Sequence, residues 1–225
     1  MKRSMAMAGS VALGLVVAAA AQTPGQPKVT PGPNEPDWDV ILRDRYGLSM
    51  YGDLANPVRT KAEQVPGLFH KSGPGPVRYR PVIALGLEKR TRGGWYPAEK
   101  PEGKAEVWSY TYKNTTEDIR TGKNLPPPLA EASSTEFDPG DRAFGVWIAN
   151  DQFPTECVYS EPGLVARHNP RLARQPYKAM IYPNRDRATG KAIPHSYLIG
   201  WEYSTNDDFQ DAVCQIDNVT LDFGK

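Results

Sequence analysis

This sequence is short of the residues that most directly announce chemistry. Only two cysteines, Cys157 and Cys214, occur in 225 residues, which excludes a four-thiolate metal centre and limits any disulfide framework to one bridge. Its three histidines, His70, His168 and His195, never fall at the i, i+4 spacing with a carboxylate that a zinc-hydrolase helix uses. No GxSxG nucleophile elbow is present, and paired acids of the glycosidase kind are uninformative among 26 Asp and Glu. No residue is therefore assigned a catalytic role. Charge of one sign is lacking as well. The 27 Lys and Arg balance the acids, leaving no broad field to hold nucleic acid or an anionic membrane. Long apolar runs are missing too: residues 11–21 (VALGLVVAAAA) fall short of the ~18–20 that a membrane span needs.

What that run does resemble is the apolar core of a secretory leader. Lys2 and Arg3 precede it, and small residues at Ala19 and Ala21 set up cleavage after Ala21. Export to a periplasmic or extracellular, bacterial compartment is the expectation, with no integral span once residues 1–21 are removed. Such a compartment permits disulfides. A bridge between Cys157 and Cys214, 57 positions apart, contributes about 4 kcal/mol in the chain-entropy picture; two separate buried thiols are the alternative.

Breakers are abundant. Together 22 Pro and 20 Gly make 42 of 225 residues, too many for a helical bundle and too few for a low-complexity chain. Residues 22–36 (QTPGQPKVTPGPNEP) carry five prolines and no hydrophobic period, the composition of an extended tether. Residues 37–77 show neither a 3.6 nor a 2.0 repeat and are assigned as irregular cover. From residue 78 onward the alternation sharpens. Ile83, Leu85 and Leu87 share one face, as do Trp108, Tyr110 and Tyr112; further strand-like runs hold Phe144, Val146 and Ile148, then Tyr177, Ala179 and Ile181, then Tyr197, Ile199, Trp201 and Tyr203, then the closing segment with Val213 and Leu221. These β-branched and aromatic runs between turn signals predict an all-β antiparallel sandwich or jelly roll over 78–225, with long Pro/Gly-rich loops and one or two short helices. One helix is expected at residues 161–167, N-capped by Ser160 with Pro162 in its first turn. TRGGWY, residues 91–96, is assigned to a turn by its Gly-Gly pair.

The densest group of metal-suited side chains is Glu202 and the following STNDDFQD. Hard cations such as calcium take six to eight oxygens, best supplied by carboxylates and amide carbonyls of one loop. Asn206, Asp208, Gln210 and Asp211 can turn to one centre, Asp207 away from it, and Glu202 reaches in from the preceding strand. Three Asp in five residues repel one another unless something neutralises them. A solvated acidic turn is the plain alternative.

FDPGDRAFGVWI, QPYKAMIYPNRD and IPHSYLIGWEYSTNDDFQDAVCQIDNV, taken together, resemble an uncharacterised β-sandwich family found at the C-terminal end of large secreted bacterial proteins. Phe137, Pro139, Gly140, Asp141, Phe144 and Gly145 match its first block. Pro194, Tyr197, Leu198, Gly200 and Glu202 match its second, and Asp208, Phe209, Gln210, Asp211, Asn218 and Val219 its third. Trp201 replaces the family's usual Phe, and Tyr203 stands where a related calcium-associated family has a second acid. The resemblance implies calcium dependence and an adhesive or carbohydrate-associated role, with Glu202, Asp208 and Asp211 as carboxylate ligands, Asn206 as a carbonyl ligand and Asp141 as an added one.

Trp95 and Tyr96, in the assigned turn, are the first choice for a glycan or partner contact, since exposed aromatic faces stack on sugar rings. The basic stretch VARHNPRLARQPYK, residues 165–178, is either an anion contact or a solvated helical face. The leading expectation is thus an exported, calcium-stabilised β-sandwich that binds cell-surface glycan or an envelope protein without catalysis. An extracellular polysaccharide enzyme and a purely structural envelope protein are the alternatives.

Overall fold

The computed structural model describes residues 25–58 and 67–223; the expected leader, residues 1–21, lies outside them. Two antiparallel sheets pack as a β-sandwich. The first contains β1 (Leu68–Lys71), β3 (Thr91–Pro97), β4 (Ala105–Tyr110), β6 (Phe144–Asn150), β7 (Val158–Tyr159) and β11 (Val219–Asp222), in the order β11-β1-β6-β3-β4, with β7 pairing to the later part of β6. The second has the order β5-β2-β10-β9-β8, from β2 (Val77–Ala84), β5 (Glu136–Phe137), β8 (Ala179–Arg185), β9 (Ala192–Trp201) and β10 (Ala212–Asp217).

Alternation along the strands makes the core. Phe69, Trp108, Val146 and Ile148 of the first sheet meet Tyr79, Ile181, Ile199 and Trp201 of the second, all less than 1% exposed. Residues on the opposite face of the second sheet, among them Ile83, Met180, Tyr182, Leu198 and Val213, would face water if left bare. They are covered by α1 (Trp38–Ile41), the following π-helical turn Leu42–Tyr46, and Leu48, Met50 and Val58. Trp38 is fully buried there, edge-on to Tyr182.

Five expectations are corrected. The stretch 37–77 is not all irregular cover, because β1 (Leu68–Lys71) is a strand of the first sheet between β11 and β6. TRGGWY is not a turn but strand β3, lying between β4 and β6. Its glycines allow close approach: a Cβ on Gly93 would sit inside the Trp108 ring, and one on Gly94 would strike the Ala105 carbonyl. Tyr96 is consequently 0% exposed, and half-buried Trp95 stacks on Phe137 at 5.3 Å; the proposed glycan contact is spent on packing. Cys157 and Cys214 are both free. Cys214 points from β10 into the inter-sheet core, while Cys157 precedes β7 against the outer side of the first sheet, so the register places them on different layers. Residues 25–36 do not extend as a free tether. Val29 packs against the outer cluster, the Pro27 carbonyl accepts the Tyr51 hydroxyl at 2.7 Å, and the Thr30 N–H donates to Asn206 O at 2.8 Å. Finally, α3 (Pro162–His168) starts with Pro162 at its first turn, but Glu161 occupies the N-cap position; Ser160 Oγ instead accepts the Val146 N–H at 3.0 Å. A further short helix, α2 (Thr116–Thr121), carries a capping box between Thr115 and Asp118.

Candidate metal centre

Strand register assembles the site. Ala212 pairs with both Trp201 and Ala84, so Glu202 leaves β9 opposite Asp211 entering β10, and the eight residues between them close a loop. Asp207 and Phe209, at φ +56° and +53°, turn that loop back on itself around Asp208. Left-handed backbone at such residues costs on the order of 1–3 kcal/mol each and persists where packing over-determines it. Phe209 supplies that packing, its ring fully buried in the outer cluster.

Among the described residues, Glu202, Asp208 and Asp211 form the group of metal-suited side chains that converge, each offering a carboxylate oxygen within 4.8 Å of the others. They are 0%, 1% and 7% exposed. Glu202 accepts three backbone N–H groups: Ser204 at 2.6 Å on Oε1, and Asp208 at 2.7 Å and Phe209 at 3.3 Å on Oε2. Asp211 Oδ2 accepts the Tyr203 N–H at 2.6 Å. Asp208 Oδ2 accepts from the side-chain amides of Asn206 and Gln210. Asp208 Oδ1 and Gln210 Oε1 are buried without a hydrogen-bond partner.

Electrostatics here run against burial. Desolvation, followed by the charge of Asp211, pushes the Glu202 carboxyl up to about 9; desolvation, and then the charge of Asp208, raises Asp211 to about 7. Lys178, 1% exposed, is the nearest buried cation, but its ammonium is taken by Asp207 Oδ1 at 2.7 Å and the Ser204 carbonyl at 3.0 Å. Glu35 lies alongside as a fourth acid, accepting from Gln210 Nε2 at 3.3 Å, its own carboxyl raised by burial and by Asp208. A pocket with more carboxylates than cations, three of them buried, stays folded by keeping protons on some of them or by taking a metal ion. The three clustered carboxylates can hold such an ion.

The expected ligands Glu202, Asp208 and Asp211 are thus brought together. Asn206 is adjacent, with its amide nitrogen toward Asp208 and its backbone oxygen held by Thr30. Asp207 points away, as expected, to Lys178. Asp141 is exposed in the connection between β5 and β6 and stands outside the cluster. Lys178 was not anticipated; it belonged to a basic stretch assigned to solvent or anions, and only its odd place in the apolar run of PYKAMIY marks it. Glu35 is far away in sequence and had no signal. The histidines are dispersed in role: His70 meets Asp222 at 3.3 Å, His168 lies beside Tyr159, and His195 is exposed with φ +59°. No described helix is long and apolar enough to cross a membrane. Compared with known protein families, curated proteins and solved structures, the chain matches none.

Proposed function

We propose that this protein is an exported β-sandwich that takes a calcium ion at Glu202, Asp208 and Asp211 and works as a binding module at the bacterial cell surface, without catalysis. One observation carries the reading: three carboxylates within 4.8 Å, nearly sealed from water, with the buried Asp208 Oδ1 left without a partner. The donor set is all oxygen with no histidine or thiolate, which suits a hard cation of high coordination number rather than zinc or copper. The leader-like N-terminus and the family resemblance support export and calcium dependence.

The ion has a structural task within reach. Tyr203 joins Asp211 through its N–H, and its hydroxyl donates to the Glu156 carbonyl at 2.6 Å. Neutralising the triad therefore braces the 203–211 loop and, through Tyr203, the 151–157 loop on the other sheet. Thermal melts in calcium and in chelator test this. At a hundredfold excess over Kd, binding adds about 2.7 kcal/mol, an expected rise of roughly 5–10 °C for a chain of this size. Asp208→Asn should abolish the rise, and an unchanged wild-type midpoint would sink the metal reading.

A further inference from the structure

A second site, unrelated in charge to the first, is built on the outer face of the first sheet. Arg92 and Ala149 are register partners on β3 and β6, and Trp147 lies two residues before Ala149 on the same face. The 151–157 loop, Tyr159 of β7 and the end of α3 rise around them to enclose a cavity of about 370 Å³. That is near the lower end of small-molecule sites, ~300–1,000 Å³, which limits the occupant to about one ring.

Its charge is positive where it is free. Lys104 is exposed, with no carboxylate within ion-pair distance among the described residues. Arg92 meets Asp151 at 3.3 Å through one terminal nitrogen, while its Nε is buried and has no partner. The acid on the wall, Glu156, already accepts from Arg171 Nε at 3.0 Å and Nη2 at 2.6 Å. Cys157 adds no negative charge, because burial pushes its thiol up to about 11, against the smaller opposing effects of a Tyr159 hydrogen bond and of the nearby Lys104 and Arg92 charges. An unpaired buried N–H of a cation is costly to leave unmade, and an oxyanion is the group that satisfies it best.

We propose that this cavity binds a small organic anion of monosaccharide size, with its carboxylate held between Arg92 and Lys104; Trp147 and Tyr159, 3% and 4% exposed, close the cavity floor without offering a stacking face. None of these residues belongs to the triad, and Arg92 and Lys104 come from the first sheet and its edge; the cavity's one tie to the cation site is the Tyr203 hydroxyl on the Glu156 carbonyl. Calorimetric titration of the full chain with glucuronate, glucose and inorganic sulfate tests it. Glucuronate should bind and glucose should not. Lys104→Gln, at an exposed position that folding does not need, should weaken glucuronate by roughly tenfold to a hundredfold, and Arg92→Gln with Lys104→Gln should remove binding while the melting midpoint of the single Lys104 variant stays at the wild-type value. Equal binding of glucose and glucuronate, binding of sulfate alone, no binding at millimolar glucuronate, or wild-type affinity in Lys104→Gln would each overturn the proposal.

Discussion

Two acid-rich turns of this protein look alike as sequence and behave oppositely as structure. FDPGD, residues 137–141, carries Asp138 on the surface, where it accepts the Lys71 ammonium at 2.8 Å and the Gly140 N–H at 2.9 Å; those bonds hold its carboxyl below the ordinary range. EYSTNDDFQD, residues 202–211, also turns on hydrogen bonds from its own backbone, yet the carboxyls of Glu202, Asp207 and Asp211 are raised. The local bonds are similar. The sign is decided by water: one solvated acid with a lysine partner prefers its charge, whereas several buried acids sharing little positive charge resist theirs.

Removing the buried partners should produce the largest effects. Lys178→Met leaves Asp207, 8% exposed, without its ammonium, and breaking such a pair costs about 3–5 kcal/mol; a midpoint lowered by roughly 10 °C or more is expected in calorimetry. Glu202→Ala strands the N–H groups of Ser204, Asp208 and Phe209, at about 1–3 kcal/mol for each that water cannot reach. That variant should also lose the calcium response. Either substitution leaving the midpoint in place would mean that the loop is far more open than its burial shows.

The pH dependence sharpens the contrast. Glu202 and Asp211 have folded values above the ordinary 4.5 and 3.8, so folding takes up protons. In chelator, stability is then fullest near pH 4 and falls as pH rises through about 7 and 9. Calcium replaces those protons, so its stabilising increment should be larger at pH 8 than at pH 5, with chelator melts sloping downward over the same interval. A flat or rising chelator profile would contradict the raised carboxyls. The smallest effect belongs to the surface turn: Asp138→Asn should leave both the midpoint and its calcium response unchanged, and a measurable loss would erase the distinction between the two loops.

Much of the fold was readable because strands bury one face at a period of two. Trp108 and Tyr110, Phe144, and Tyr197 with Trp201 all lie on strands, while Tyr112 and Tyr203 of the same runs fall just past the strand ends. β3 escaped notice because two glycines resemble a turn until the Trp108 ring fills the space a Cβ would occupy. The capping box at Thr115 was present in the sequence but short of an apolar run to draw attention to its six-residue helix. At the candidate site, Glu202, Asp208 and Asp211 were legible since they belong to one loop. Lys178 and Glu35 were not, because they arrive from β8's approach and from the N-terminal segment, contacts that span 29 and 175 positions.

Composition and period by themselves determined that this chain forms a β-sandwich rich in loops, and local spacing determined which acids can face one another. Tertiary packing alone decided the rest. It buried Tyr96 and Cys214, kept the two thiols on separate layers, laid residues 25–36 against the domain, and gathered Arg92 and Lys104 around a cavity. The physical reason is that a side chain's type is set along the chain, whereas its solvation, and with it the sign of its pKa shift and its freedom to bind, depends on what the fold stacks over it.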